Sequence, residues 1–165
     1  MKSPLLVQAD LLGAADEPAR MRWLPLVSEL KQIERPLVLV DERPDRWAPT
    51  RNRVDRAFMR QADLEAEVRR AGGALDAIVY LDVGLFGRKR QHQRDMADVA
   101  NRYDCRLEDI LAIVRSSKIA DALEGVIGSV ERIEGQAHFR TALEAALQRY
   151  KNEGQDRGRT ESSRS

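Results

Sequence analysis

Four short runs of apolar residues, each followed closely by polar residues, constrain the fold of this chain most strongly. The runs are Leu5 to Val7, Pro36 to Val40, Leu75 to Leu81 and Ile110 to Val114, and a weaker alternating run covers Val126 to Ile133. Continuous apolar runs of this length are typical of strands that are buried on both faces of a parallel sheet. The sequence therefore predicts a parallel sheet of about five strands.

Segments with apolar residues at helical spacing lie between these runs. Pro25 suits the first turn of a helix, and Gln61 to Ala71 and Arg94 to Tyr103 each carry one apolar stripe. A short helix over Ser117 to Glu124 and an amphipathic helix from about Ala137 complete the alternation. Alternating strands and helices predict right-handed crossovers with helices on both faces of the sheet. We expect a three-layer, Rossmann-like α/β fold.

Length and composition predict one domain in the cytoplasm. A chain of 165 residues suits one compact core, which we expect over residues 1–150, whereas the polar residues 151–165 predict a disordered tail. The single cysteine, Cys105, cannot form an internal disulfide, and no apolar run is long enough for a signal peptide or a membrane span. The formal net charge of +1 leaves any attraction to nucleic acid to local clusters of charge.

Polar residues follow each predicted strand, at the edge where a parallel sheet binds its ligands. These residues are Gln8 and Asp10 after the first strand, Asp41 and Glu42 after the second, Asp82 after the third, and Arg115 to Ser117 after the fourth. We therefore expect a functional site at this edge.

The order of the segments resembles the capless haloacid-dehalogenase phosphatases, in particular the branch that contains histidinol phosphatase and the heptose bisphosphate phosphatases. The resemblance covers roughly residues 5–133, and it is carried by Leu6-Val7-Gln8-Ala9-Asp10, Trp23 to Leu30, Leu37 to Asp41, Leu75 to Tyr80, Gly87-Arg88-Lys89-Arg90 and Asp121 to Gly125. It implies a fold with no cap domain and magnesium-dependent phosphatase chemistry. In that family an aspartate at the end of the first strand attacks phosphorus, and a second aspartate, two residues later, acts as acid and base.

The catalytic residues implied by this resemblance are largely replaced. Gln8 stands at the position of the nucleophile, and a neutral amide cannot form an aspartyl-phosphate. Asp10 matches the acid and base, although an aspartate at a strand end is also a common turn cap. Asp41 replaces a phosphate-binding threonine or serine, and Ser116 and Ser117 lie where the family has carboxylates that hold magnesium. We expect this degenerate pocket to hold no metal and no cofactor, with magnesium binding only if activity is retained.

Several basic residues are candidates for binding phosphate or another anion. They are Arg43, Arg88, Lys89 and Arg90, of which Lys89 is the nearest match to the phosphate-stabilising lysine of the family. The stretch from Arg43 to Arg60 contains six arginines and two aspartates, with Trp47 and Phe58 between them. This composition is typical of a surface for single-stranded nucleic acid, or of a loop anchored over the sheet. His92 and His138 are predicted to be ordinary surface or boundary residues, and Cys105 to be semi-buried.

Three functions are compatible with these observations. The first is a non-catalytic member of the phosphatase family that works as a binding or scaffold module for a protein partner. The second is a magnesium-dependent phosphatase with a rearranged site that uses Asp10, Asp41 or Glu42 together with Lys89. The third is nucleic-acid binding through Arg43 to Arg60 and Arg88 to Arg94. The combined losses at the pocket favour the first, which we take as the predicted function.

Overall fold

The computed structural model describes residues 2–13, 17–43, 51–84 and 89–162. Its strands are β1 (Leu5–Gln8), β2 (Leu37–Glu42), β3 (Ala77–Leu81), β4 (Leu111–Val114) and β5 (Ser129–Arg132). Its helices are α1 (Ala9–Gly13), α2 (Glu17–Gln32), α3 (Arg51–Arg70), α4 (Lys89–Arg102), α5 (Ser117–Leu123) and α6 (Gln136–Ser162), with a short 3-10 helix over Leu107–Asp109. The strands lie where the apolar runs predict them.

The five strands form one parallel sheet in the order β3-β2-β1-β4-β5. The central strand β1 pairs with β2 on one side and β4 on the other, so that Val7 lies opposite both Leu39 and Ile113. The chain therefore moves outward from β1 in one direction and then in the other. The resulting crevice between the loops after β1 and β4 is where doubly wound sheets place their ligands.

Both faces of the sheet are buried, which explains why the strands are continuous apolar runs. Side chains that alternate along a strand enter two separate cores, as Leu5 and Val7 do on the first face and Leu6 does on the second. Helices α1, α2, α3 and α6 cover the first face, and α4 and α5 cover the second. Trp23 and Phe139 meet edge to face on the first face, with ring centroids 6.0 Å apart. This three-layer arrangement confirms the predicted Rossmann-like α/β fold.

Three helices begin earlier than predicted, because their first turns are polar and show no apolar stripe. Helix α2 begins at Glu17, so Pro25 lies inside the helix on its exposed side and not in its first turn. Helix α4 begins at Lys89. Helix α3 begins at Arg51, so residues 51–60, interpreted as part of a loop, are helical.

The last helix continues beyond the boundary predicted at residue 150. Lys151 makes an ion pair with Glu29 on α2, and Glu153 lies 3.4 Å from the buried Arg35 guanidinium. Helix α6 then extends to Ser162, past the boundary that composition predicts at residue 150. Composition could not predict the contacts of Lys151 and Glu153, because their partners lie in distant parts of the sequence.

None of the helices in the described ranges combines the length and the apolar character that crossing a bilayer requires. Within those same ranges, no further folded unit is inserted between the elements of the sheet, in agreement with the expected absence of a cap domain.

Candidate functional site

Most of the site residues predicted from the sequence lie together at the carboxyl edge of the sheet. Gln8 lies at the end of β1, Asp10 in α1, and Asp41 and Glu42 at the end of β2. The hydroxyl oxygen of Ser116, in the loop after β4, lies 3.2 Å from Glu42 Oε1. These residues therefore surround the crevice between β1 and its two neighbours, as the rule for parallel strands predicts.

The side chain of Gln8 lies at the bottom of this crevice. Its side chain is buried, with the residue 6 % exposed, and its Oε1 accepts hydrogen bonds from the backbone N–H groups of Arg115 and Ser116, each at 2.8 Å. Backbone N–H groups at such a crevice are the donors that a bound anion would use. In this chain both donors already have a partner, and that partner is a neutral amide.

The two serines after β4 differ in role. Ser116 is the N-cap of α5, where its Oγ accepts a hydrogen bond from the N–H of Ile119 at 3.4 Å and donates one to Glu42. Ser117 is the first residue of α5 and is exposed. Serine is among the preferred N-cap residues because its oxygen satisfies a helix N–H group that has no partner within the helix. The Ser116 hydroxyl is therefore engaged in the fold.

The surroundings of the Asp10 and Asp41 carboxyls disfavour their ionised forms. Partial burial raises the pKa of Asp10, although the nearby Arg115 guanidinium and backbone N–H groups of α1 oppose the shift. Burial also raises the pKa of Asp41, against the hydrogen bond that the N–H of Glu42 donates to its Oδ1 at 2.8 Å, and the neighbouring Asp10 and Glu42 raise it further. Hydrogen bonds from backbone N–H groups agree with the capping interpretation of Asp10.

The crevice does not suit the magnesium ion that the resemblance implies. Magnesium requires hard oxygen ligands in near-octahedral geometry, usually including carboxylates. Gln8 Oε1 and the Ser116 hydroxyl are already engaged, and Arg115 and Lys118 bring positive charge to the loop after β4. No three His, Cys, Asp or Glu side chains converge to hold a metal ion within the described ranges. The three-carboxylate arrangement of the alternative phosphatase is therefore not formed there.

A cavity of about 750 Å³ lies next to the crevice, between α1, α3 and the ends of β2 and β3. Its floor is apolar and includes Leu12, Leu39, Leu64 and Ile78, with Tyr80 beside them. Its rim is charged on two sides, with Asp10, Asp41 and Glu42 at the sheet and Arg56 and Arg60 on α3. Sequence reasoning missed this cavity because the first half of α3 was interpreted as a loop.

The basic candidates that the structure describes, Arg43, Lys89 and Arg90, do not line this cavity. Lys89 and Arg90 begin α4, which packs on the other face of the sheet, so the predicted basic loop is helical at these two positions. A Cβ added to Gly125 would lie 3.4 Å from Lys89 Nζ, which places that ammonium beside the loop after α5. The Arg43 side chain is exposed, just after β2. Arg88 and Trp47 lie outside the described residues.

His92 contradicts the sequence prediction. It is 5 % exposed and lies on the buried stripe of α4 together with Met96, Val99 and Ala100. The stripe extends one turn further toward the start of α4 than predicted, because the helix itself begins earlier. His138 is exposed and Cys105 is half-buried, as predicted. Burial raises the pKa of the Cys105 thiol, which makes it a poor nucleophile at neutral pH.

Comparison with known proteins supports the fold. No family model matches the chain, and no curated protein matches it. An uncharacterized protein from Corynebacterium glutamicum has a similar solved structure, with a TM-score of 0.56 and 13 % identity over 89 % of this chain and 95 % of that one. A universal stress protein from Archaeoglobus fulgidus, solved in complex with dAMP, has a TM-score of 0.48 and 17 % identity over 80 % of this chain and 98 % of that one. At such identities the likeness concerns the fold alone.

Proposed function

We propose that this chain is a non-catalytic binding or scaffold module built on a haloacid-dehalogenase-like phosphatase fold. The observation that carries the proposal is the pair of hydrogen bonds from the backbone N–H groups of Arg115 and Ser116 to Gln8 Oε1. The amide oxygen uses the donors that a phosphate would need, at the position from which phosphorus would be attacked. Phosphoryl transfer through a covalent intermediate requires an ionised nucleophile, and the side-chain amide of glutamine is neutral.

The charges around Gln8 also support a loss of catalysis. Two carboxyls of the crevice, Asp10 and Asp41, have raised pKa values, so their environment opposes their negative charge. The loop after β4 and the first turn of α5 supply the cations Arg115 and Lys118 where metal-binding carboxylates would be needed. A single replacement could alter one step of a reaction, whereas these replacements remove the nucleophile and the metal ligands together.

A binding function is supported by the cavity beside the crevice. Cavities of about 300–1,000 Å³ with an apolar lining and a few polar groups are typical of binding sites, above all for small molecules. The cavity of about 750 Å³ has Leu39 and Ile78 in its floor and carboxylates and guanidinium groups at its rim. We infer a cytoplasmic protein partner that offers apolar side chains to the floor and both signs of charge to the rim.

A magnesium-supplemented phosphatase screen with phosphomonoesters tests the loss of catalysis. The wild-type chain is expected to show no hydrolysis above that of an Asp10→Asn variant, which keeps the shape of the side chain and removes its acid. Magnesium-dependent hydrolysis by the wild type that Asp10→Asn abolishes would overturn the proposal. A Gln8→Asp variant belongs in the same screen. Activity gained by that variant would support a phosphatase ancestry and would identify Gln8 as the block.

A further inference from the structure

The cavity beside the crevice has one wall made by the sheet, and strand register sets its composition. Leu39 lies opposite Ile78, and two residues further along the two strands Asp41 lies opposite Tyr80. All four residues line the cavity. Since alternate residues of a strand point to one face, the apolar pair lies beneath the polar pair, roughly 7 Å further from the carboxyl edge. This wall is therefore apolar at the floor of the cavity and acidic at its rim.

Helix α3 forms the opposite wall. Arg56, Arg60 and Leu64 follow one another at a spacing of four residues, so they lie on one side of the helix, and all three line the cavity. Leu64 is buried, whereas the two arginines, which lie nearer the start of the helix, are exposed. This wall is also apolar at the floor and charged at the rim.

The lining of the cavity carries more negative than positive charge. Of the described residues that line it, five are acidic and three are basic. Burial raises the pKa of Asp41, and Asp10 and Glu42 each raise it further by more than Arg60 lowers it. A bound cation would relieve this repulsion, whereas an anion such as a phosphate ester or a nucleotide would increase it. The charges therefore favour a ligand with a positive group at the acidic part of the rim.

The order of charge and apolar surface restricts the form of that ligand. A lysine or arginine side chain that enters from the rim carries its charge at its far end, and would place it against Leu39 and Ile78, beyond the carboxylates. The first residue of a polypeptide has the opposite arrangement, because its α-ammonium is bonded to the carbon that carries the side chain. This ammonium can stay beside Asp41 while an apolar side chain reaches the floor. The guanidinium groups of α3 can then donate hydrogen bonds to the carbonyl groups that follow.

We propose that the cavity binds the amino terminus of the protein partner, with a large apolar first residue such as leucine, methionine or phenylalanine on the floor. The inference rests on the proposed function, since it specifies how the partner of that binding module docks. Capture of a chain terminus is a recurring mode of peptide recognition. A free amino acid offers the same ammonium and side chain, but it adds a carboxylate to a lining that is already negative.

Isothermal titration calorimetry of the full chain with short peptides tests the inference. Leucyl-glycyl-glycine amide is expected to bind. Its N-acetyl form and glycyl-glycyl-glycine amide should each bind about tenfold more weakly, because the first lacks the charge and the second lacks the apolar side chain. Equal affinity of the acetylated peptide would overturn the inference, as would the absence of binding by the leucyl peptide at millimolar concentration. Tighter binding of free leucine, or of N-acetyl-leucyl-lysyl-glycine amide, would also overturn it and would assign the cavity to an amino acid or to a lysine side chain.

A pair of matched variants tests the contact with the ammonium. Asp41→Asn should weaken binding of the leucyl peptide about tenfold and leave that of the acetylated peptide unchanged. Glu131→Gln, the same change of charge at an exposed position of β5, should leave both unchanged. Equal losses in the two variants would contradict a specific contact with Asp41.

The phosphatase screen separates this inference from the proposed function. A wild type that neither hydrolyses phosphomonoesters nor binds the leucyl peptide would overturn the docking of an amino terminus and leave the non-catalytic module standing. Hydrolysis that Asp10→Asn abolishes would overturn the proposed function, and with it this inference.

Discussion

A single amide, that of Gln8, joins the central strand to the loop after β4. Its oxygen is the acceptor for two backbone N–H groups, those of Arg115 and Ser116, at a depth where the side chain itself is buried. Buried N–H groups without a partner cost about 1–3 kcal/mol each. The contact on which the proposed loss of catalysis rests therefore also stabilises the fold.

Gln8→Leu is expected to lower the free energy of unfolding by about 1–3 kcal/mol, because it leaves two part-buried N–H groups without their acceptor. Gln8→Glu, which keeps an acceptor oxygen, should lose less. Urea denaturation of both variants measures the difference. The matched control is Gln148→Leu on the exposed side of α6, where the side chain bonds only to Asn152. Equal stability of Gln8→Leu and the wild type would show that these two hydrogen bonds do not contribute to the free energy of unfolding.

The raised pKa of Asp41 predicts a dependence of stability on pH. The carboxyl titrates near pH 3.8 when unfolded and at a higher pH when folded, so the folded chain binds more protons between these values. Stability therefore falls as the pH rises through this window and stays lower above it. Asp41→Asn, which keeps the oxygen that accepts the N–H of Glu42, is expected to raise the Tm at neutral pH. The gain should shrink as the pH approaches 3.8, and thermal unfolding at both values measures it. A gain that is independent of pH would contradict the electrostatic cause.

At the scale of the elements, the strands could be predicted and the starts of the helices could not. A strand such as β4 is buried on both faces, so its whole length is apolar and visible in the sequence. Helices α3 and α4 begin with turns rich in arginine, lysine and glutamine, where no apolar stripe indicates a helix. The start of α2 was also predicted too late, because proline favours the first turn of a helix whereas Pro25 lies inside α2.

The end of α6 makes a testable contribution to stability. Truncation after Tyr150 removes Lys151 and Glu153, the partners of Glu29 and Arg35. Arg35 is buried, with its guanidinium 3.8 Å above the ring of Tyr150, so the loss of a partner there matters more than the loss of an exposed one. We expect this truncation to lower the free energy of unfolding by about 1–3 kcal/mol, and truncation after Gln155 to leave it nearly unchanged. Equal stability of the two truncated chains in urea would support the disordered tail that composition predicts.

At the scale of the whole molecule, topology brings the site together and side-chain chemistry decides what it can do. The rule that parallel strands direct their carboxyl ends to one edge was enough to predict that Gln8, Asp10, Asp41, Glu42 and Ser116 would meet. The partners of Gln8 could not be predicted, because a backbone N–H group leaves no trace in a sequence. The cavity beside the crevice could not be predicted either, because the polar residues 51–60, which form part of one of its walls, were interpreted as a loop.

The amide protons of Arg115 and Ser116 test the central claim most directly. In a phosphate titration followed by nitrogen–proton correlation spectra, with and without millimolar magnesium, both resonances should keep their positions because Gln8 Oε1 already binds both N–H groups. In Gln8→Ala the same two protons should exchange faster with solvent. Saturable shifts of the Arg115 and Ser116 resonances in the wild-type chain would show that phosphate still reaches this crevice, and would contradict the account.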